Sequence, residues 1–512
     1  MSAPPEFEKR SKYRSYAVSS AFSPDKEYLK WFAVLSGIPH ESGNEKQLSD
    51  FLVRFAKERG LSAAQDAAGN VVIKKPGTPG MEQAPAVILQ GHMDMVCVKD
   101  EGLAFDFAHD PLKLMTDGDR LYAEGTTLGA DNGIALAYML AVLDSSDLPH
   151  PPLEAVVTVD EEVGMGGATA FDVSSLDASL FLNMDSEEEG IFCVSCAGGR
   201  RSRMNIPVEF QDASTVCTGE GWSSRRITLG GLAGGHSGLE IIRERGNSNR
   251  LLARLLDGLG RTFPCRLAAL QGGTAANAIP KESSAVLFIK AEDEAVLKEV
   301  KRWEEIFRHE LRGSDGAGLV ISMDKVEETR VLTPESEKRV LSAALLVPDG
   351  IASMDKNITT QNLVESSNNF AVIRMEGENI VFQCQTRSSV ASRKDDLCRR
   401  IDILGALVGG SVEHSGDYPA WEYNPASRLE AVFTKTYEEL FQKKAKVEGI
   451  HAGLECGLFA DKFQKLGRKV DFISFGPTVT GAHSTKETLH LASAERAWTL
   501  LTEVLRRIGE MK

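Results

Sequence analysis

The stretch Leu89-Gln90-Gly91-His92-Met93-Asp94-Met95-Val96 decides how this chain is read. Its lead-in, Ala86-Val87-Ile88-Leu89, is a short apolar run bounded by turn residues, the pattern of a buried strand. Residues i and i+2 of an extended chain share a face, so His92 and Asp94 project together from the strand's carboxyl end. An imidazole that binds a metal usually gives its other N–H to a carboxylate, which fixes its tautomer. Asp94 stands where that partner is needed. A polar strand end with no ligand fits the same spacing, and the motif alone does not choose.

Working outward, four more segments put single ligand-type residues in comparable places. Gly125-Thr-Thr-Leu-Gly-Ala-Asp131-Asn-Gly133 is a Gly-rich turn before the apolar helix Gly133–Leu143. A carboxylate there is either a metal ligand or an N-cap. The strand Glu154–Val159 runs into Asp160-Glu161-Glu162 and then glycines. Three adjacent carboxylates repel one another unless a cation lies among them. Adjacent residues at a strand end face opposite ways, so one carboxylate can bind metal while its neighbour stays free as a base. Leu180–Asn183 is a strand ending at Asp185. Val470–Phe475 is a strand leading into Gly476-Pro-Thr-Val-Thr-Gly-Ala-His483. His92, Asp131, Glu162, Asp185 and His483 together are two imidazoles and three carboxylates. That donor set suits two divalent ions sharing a bridging carboxylate; zinc (Zn2+) fits best, and Co2+ or Mn2+ can substitute.

At 512 residues the chain is too long for one ordinary core. Lys and Arg number 58 against 73 Asp and Glu, a net charge of −15, which argues against nucleic acid or anionic membrane as a partner. Eight scattered cysteines form no disulfide framework, and no apolar run approaches a membrane span. A charged N-terminus without an apolar core is not a secretory signal. A cytoplasmic protein is expected.

Strands alternating with helices predict an α/β catalytic domain with a mainly parallel mixed sheet and flanking helices. The expected layout is a leader over 1–24, the first part of that domain over 25–197, an inserted α+β lid over 198–393, and the second part over 394–512. Within the insert a helix-then-strands order recurs: Asn247–Leu259 with Ala285–Ile289, then Pro334–Leu346 with Phe370–Met375 and Ile380–Gln385. The recurrence hints at internal duplication.

These motifs, in this order, resemble the di-zinc metallopeptidase family that includes aminoacylase, glutamate carboxypeptidase and carnosinase. The nearest likeness is to its aminoacyl-histidine dipeptidase (Xaa-His dipeptidase) branch. The resemblance runs from about residue 30 to 490. It takes in Leu89–Val96, Leu128–Gly133, Asp160–Gly164, Asn183–Ser186, Gly235-His236-Ser-Gly, Ala276-Asn277-Ala-Ile-Pro280, His451–Gly457 and Gly481–Ser484. It implies that His92 and Asp185 hold one metal, Glu162 and His483 the other, and that Asp131 bridges them, with a cis peptide bond after it. It implies Asp94 as the partner of His92, Glu161 as general base, and attack by a metal-bridging hydroxide on unblocked dipeptides. His236 resembles the inserted-domain histidine that stabilises the oxyanion. Arg387 and Asn277 are candidates for the substrate carboxylate and Glu455 for its free amine, although each also reads as a structural hydrogen-bonding residue. His451 is a candidate pocket residue, and His40 reads as structural. A same-fold N-acyl amino acid amidohydrolase is the alternative, and a non-catalytic peptide-binding relative a more distant one. The expected partner is a small peptide substrate, with the chain a monomer or homodimer.

Overall fold

Val87-Ile88-Leu89 and Ala155-Val156-Val157 are apolar on both faces, so each belongs inside a sheet covered on both sides. The computed structural model describes residues 24–359 and 361–511 and places them there; the expected leader over 1–24 lies outside the described residues except for Pro24. Every residue of the strands Val87–His92, Leu153–Thr158 and Leu180–Asn183 is buried. They belong to an eight-stranded sheet ordered Ser62–Gln65, Val71–Lys75, Leu153–Thr158, Val87–His92, Leu180–Asn183, Asp471–Ser474, Ile191–Cys196, Lys446–Ile450. The four strands from Leu153–Thr158 to Asp471–Ser474 are mutually parallel, with Leu89 opposite both Ala155 and Leu182. Strands Ser62–Gln65, Val71–Lys75 and Ile191–Cys196 add antiparallel pairings. The sheet is therefore mixed, with a parallel centre. Parallel alignment brings four carboxyl ends to one edge, and the segments bearing His92, Asp160–Glu162, Asp185 and His483 leave from there.

Helix Ala130–Asp144 is buried almost throughout, as its apolar circumference requires. Tyr138 of that helix packs edge-on against Tyr28 at 5.1 Å and donates its hydroxyl to Ala494 O at 2.7 Å. This contact ties the helix to Glu27–Leu35 and to the closing helix Leu491–Gly509.

The chain divides into two units. The first runs through Val194 and includes Tyr423–Gly449 and everything from Leu458 onward; the second is Ser195–Glu422 with Ile450–Gly457. In the second unit one sheet runs Val320–Lys325, Trp222–Gly230, Ser283–Lys290, Cys265–Gly272, Val364–Glu376, Asn379–Ser388, Gly198–Pro207, Ser411–Tyr418. Strand Gly350–Met354 pairs alongside Val364–Glu376. The two halves of this sheet are joined through the pair Gly272 and Ile373. The first half is drawn from Trp222 to Lys325; the second is drawn from Gly198–Pro207 and then from Pro334 to Tyr418, with three strands, Gly350–Met354, Val364–Glu376 and Asn379–Ser388, between its two helices.

The second unit extends past residue 393, where the sequence pattern suggested a return to the first. Ile401 and Leu404 of helix Ala391–Leu407, with Val408 just past its end, share a core with Met204 and Phe382. Strand Ser411–Tyr418 then pairs antiparallel with Gly198–Pro207, opposing Val412 to Met204.

Candidate active site

The first unit gathers His92, Asp94, Asp131, Glu161, Glu162, Asp185 and His483. The His92 ring is 1% exposed. Its Nδ1 lies 3.0 Å from the Asp94 backbone oxygen and 3.3 Å from Asp94 Oδ1. Its Nε2 faces Asp131 Oδ1 at 3.2 Å and Asp185 Oδ1 at 3.3 Å. The second oxygen of Asp131 stands 3.1 Å from His483 Nε2, which is also 3.1 Å from Glu162 Oε1. The Asp131–Asn132 peptide bond is cis. His483 and Asp160 both adopt left-handed backbone angles, φ 60 and 52, uncommon for residues with a side chain and frequent at functional turns.

Asp94 does more than face His92. Its Oδ1 accepts from the Glu161 N–H at 3.0 Å; its Oδ2 accepts from the Glu162 N–H at 3.1 Å and the Ser42 hydroxyl at 2.8 Å. It thereby anchors the turn that carries both glutamates.

The donor chemistry fits divalent ions. Ligand atoms of His92, Asp131 and Asp185 lie within 4.8 Å of one another, as do those of Asp131, Glu162 and His483, and those of His92, Glu161 and Glu162. Asp131 belongs to two of these groups through its two oxygens. Glu162 Oε1 is buried and forms no hydrogen bond despite its closeness to the His483 ring, as a ligand atom waiting for a cation does.

The electrostatics of the metal-free cluster follow from the same contacts. Burial opposes a charge on Asp94, but the His92 ring, the Glu161 N–H and the Ser42 hydroxyl outweigh it and hold its carboxyl at about 2. Burial likewise opposes Asp131, and His483 and His92 carry it well below the usual carboxylate range. Burial raises Asp185 to about 6. The hydrogen-bonded Asp131 carboxylate, and the Glu162 carboxylate 3.1 Å away, lift His483 to about 11. At His92 burial opposes the imidazolium, yet Asp185, Asp131 and Asp94 raise it well above its ordinary value.

The second unit holds His236, Asn277, Arg387 and Glu455. His236 Nδ1 accepts from the N–H groups of Gly238 and Leu239 at 3.3 and 3.1 Å. A nitrogen that accepts carries no proton, which favours the neutral ring with its hydrogen on Nε2, and the donor-only Arg387 Nη2 stands 3.5 Å from that nitrogen. Burial and the Arg387 guanidinium lower the His236 pKa, favouring that neutral form. Arg387 is 6% exposed; its Nη1 donates to Tyr418 Oη at 2.7 Å and its Nε is buried without a partner. His451 is buried, and Ser367 Oγ lies 2.8 Å from its Nε2. The Asn277 carbonyl accepts from Ser237 N at 2.8 Å, joining its loop to that of His236. Glu455 is buried at the start of helix Glu455–Lys465. His40 is buried in the first unit with Nδ1 2.5 Å from Ile38 O.

Two residues of the first unit escaped the sequence reading. Asn132 accepts from His92 N at 3.2 Å and donates to Met184 O at 2.8 Å, linking the turns that carry His92, Asp131 and Asp185. Glu487 accepts from four backbone N–H groups of the Asp131 loop. Its place four residues after His483 was the available signal.

Comparison with known proteins identifies the family. The sequence pattern of peptidase family M20/M25/M40 matches residues 88–507. The chain is 39% identical over 479 residues to the cytosol non-specific dipeptidase of Escherichia coli K12, covering 93% of this chain and 96% of that protein. The crystal structure of aminoacylhistidine dipeptidase from Vibrio alginolyticus superimposes with a TM-score of 0.90 at 34% identity, over 98% of this chain and 100% of that one. A tripeptidase from Staphylococcus aureus shares the fold, with a TM-score of 0.52 at 16% identity over 95% and 98% of the two chains.

Proposed function

The chain belongs to peptidase family M20/M25/M40, and on that premise we propose that it is a metal-dependent dipeptidase acting on unblocked dipeptides, Xaa-His dipeptides among them. The observation that carries the reading is Asp131, whose two oxygens address two different imidazoles at 3.2 and 3.1 Å. In this reading His92 and Asp185 hold one divalent ion, Glu162 and His483 the other, and Asp131 both. Zinc suits the mixed imidazole and carboxylate donors. Bound there, such ions acidify water and polarise a carbonyl.

The chain's own groups divide the remaining work. Glu161 takes a proton from the attacking water and returns it to the leaving amine as the C–N bond breaks, giving two amino acids. Asp94 keeps Glu161 in place through its backbone N–H at 3.0 Å. His236 donates its Nε2 hydrogen to the charge that develops on the carbonyl oxygen. Arg387 takes the substrate's carboxylate, for which a planar guanidinium is suited, with Asn277 at the same terminus and Glu455 at the free amine. A cytosolic setting is supported by the similarity to the cytosol non-specific dipeptidase of Escherichia coli. Among the described residues no helix is long and apolar enough to cross a membrane.

The test is hydrolysis by zinc-supplemented protein of two panels, free dipeptides (beta-alanyl- and glycyl-histidine included) and N-acetyl amino acids, with and without chelator. Chelator-sensitive cleavage of the free dipeptides is expected. Cleavage confined to the acetylated panel would replace this reading with the deacylase one.

A further inference from the structure

Glu487 is 2% exposed, and its carboxylate is turned entirely toward backbone. Oε2 accepts from Leu128 N and Gly129 N at 2.8 and 3.0 Å; Oε1 accepts from Ala130 N and Asp131 N at 2.8 and 3.1 Å. Four successive N–H groups thus converge on one side chain that enters from another part of the chain. Gly129 makes the convergence possible. It sits at φ 67, and a Cβ there would come within 2.9 Å of Met95 Sδ.

The segment that supplies Glu487 is the one that carries His483. Within it the Ser484 hydroxyl donates to Gly481 O at 2.6 Å and Glu487 N donates to Ser484 O at 3.1 Å. Strand Thr488–His490 then pairs with Arg120–Ala123, Thr488 lying opposite Tyr122. The His483 turn is therefore fastened at both ends. We propose that Glu487 is a positioning residue for the metal pair. By gripping the backbone of Leu128–Asp131 from the His483 turn, it sets the reach between the Asp131 and His483 side chains. The inference rests on the reading of those two residues as ligands.

Charge is what makes the grip effective. N–H groups bond an ionised carboxylate roughly twice as strongly as a neutral acceptor, and they lie at the start of a helix, where negative charge is favoured. Glutamine offers one acceptor oxygen and would point an NH2 group at two of the same donors. Aspartate keeps the charge on a shorter stem. A helix cap and nothing more would give Glu487 the same contacts, but replacing it would then lower the protein's melting temperature without altering metal binding by the folded chain.

The experiment compares the full-length protein with Glu487→Gln and Glu487→Asp. Metal-free protein is titrated with zinc by calorimetry, and Co2+-loaded protein is examined by visible absorption, which reports ligand geometry independently of activity. Wild type is expected to bind two ions; failure to do so would overturn the ligand reading itself. If wild type binds two, Glu487→Gln should stay folded, bind metal about 10- to 100-fold more weakly, and show a changed cobalt spectrum, with Glu487→Asp between the two. Wild-type affinity and spectrum in Glu487→Gln, with or without a lower melting temperature, would overturn the proposal. If Glu487→Gln does not fold, the same two outcomes are read from Glu487→Asp.

Discussion

Asp131 and His483 are 352 residues apart in the chain, and the Asp131 Oδ2 to His483 Nε2 distance is 3.1 Å. The other oxygen of the same carboxylate is 3.2 Å from His92 Nε2. A carboxylate held between two imidazoles favours the protonated form of both rings, and that has consequences for how metal enters.

Metal binding should release protons. In the metal-free protein His483 is raised to about 11, chiefly by Asp131 and Glu162, and His92 is raised well above its ordinary value. Both shifts favour the imidazolium form, and only neutral imidazole ligates. Affinity therefore rises with pH, each displaced proton contributing about tenfold per unit below the relevant pKa. Calorimetry in phosphate and in Tris should show a buffer-dependent heat equal to about two protons per ion pair. Equal heats in both buffers would contradict it.

Glu161→Gln should lower kcat by about 10²- to 10⁴-fold while both metals remain bound, because general-base catalysis is worth about that much. Metal content by elemental analysis, beside steady-state rates, separates the base from a ligand. Loss of an ion would reassign the residue.

Asp94→Asn should lower metal affinity or kcat by about 10- to 100-fold. The amide keeps one acceptor but turns its NH2 toward a backbone N–H of Glu161 or Glu162. Asp94 also contributes to acid stability: its folded value is about 2, below the unfolded carboxylate value of about 4. Its stabilisation is present above pH 4 and is lost as pH falls through 2. Acid unfolding of wild type below pH 4 should thus be steeper than that of the variant, followed by circular dichroism.

Arg387→Ala should raise KM for free dipeptides about 10- to 100-fold, the range of a charge-assisted hydrogen bond of about 1.5–3 kcal/mol. Dipeptide amides, which lack the carboxylate, should lose no affinity. A uniform loss on both substrates would assign Arg387 a structural role through its bond to Tyr418.

Gly91→Ala should damage the site without touching a ligand. A Cβ at Gly91 would lie 2.3 Å from Asn132 Oδ1, the atom that accepts from His92 N. Overpacking of this kind costs about 1–3 kcal/mol. The melting temperature and the metal content should both fall; unchanged metal content would show that Asn132 is dispensable.

Much of the site was legible along the chain because its carriers are local. The runs Val87–Leu89, Ala155–Val157 and Leu180–Leu182 announce buried strands, and His92, Glu162 and Asp185 follow close behind them. Helix Ala130–Asp144 announced itself through an apolar run. Strand Ser411–Tyr418 did not. Its sequence, Ser-Val-Glu-His-Ser-Gly-Asp-Tyr, has no apolar alternation, and most of its residues are exposed at the sheet's edge. What makes it a strand is backbone pairing with Gly198–Pro207, two hundred residues earlier by number, and such pairing leaves no local mark.

The sequence by itself determined the side chains that can act as ligands, the strand ends that present them, and the α/β class, since these follow from hydrophobic period and residue chemistry over a few positions. Tertiary structure alone decided which oxygen of Asp131 faces which imidazole, that Asp94 holds the N–H groups of Glu161 and Glu162, and that Glu487 closes on Leu128–Asp131. Those relations depend on distances of a few ångströms between segments far apart in the chain. The parallel register of four strands and the packing of the helices on them set such distances.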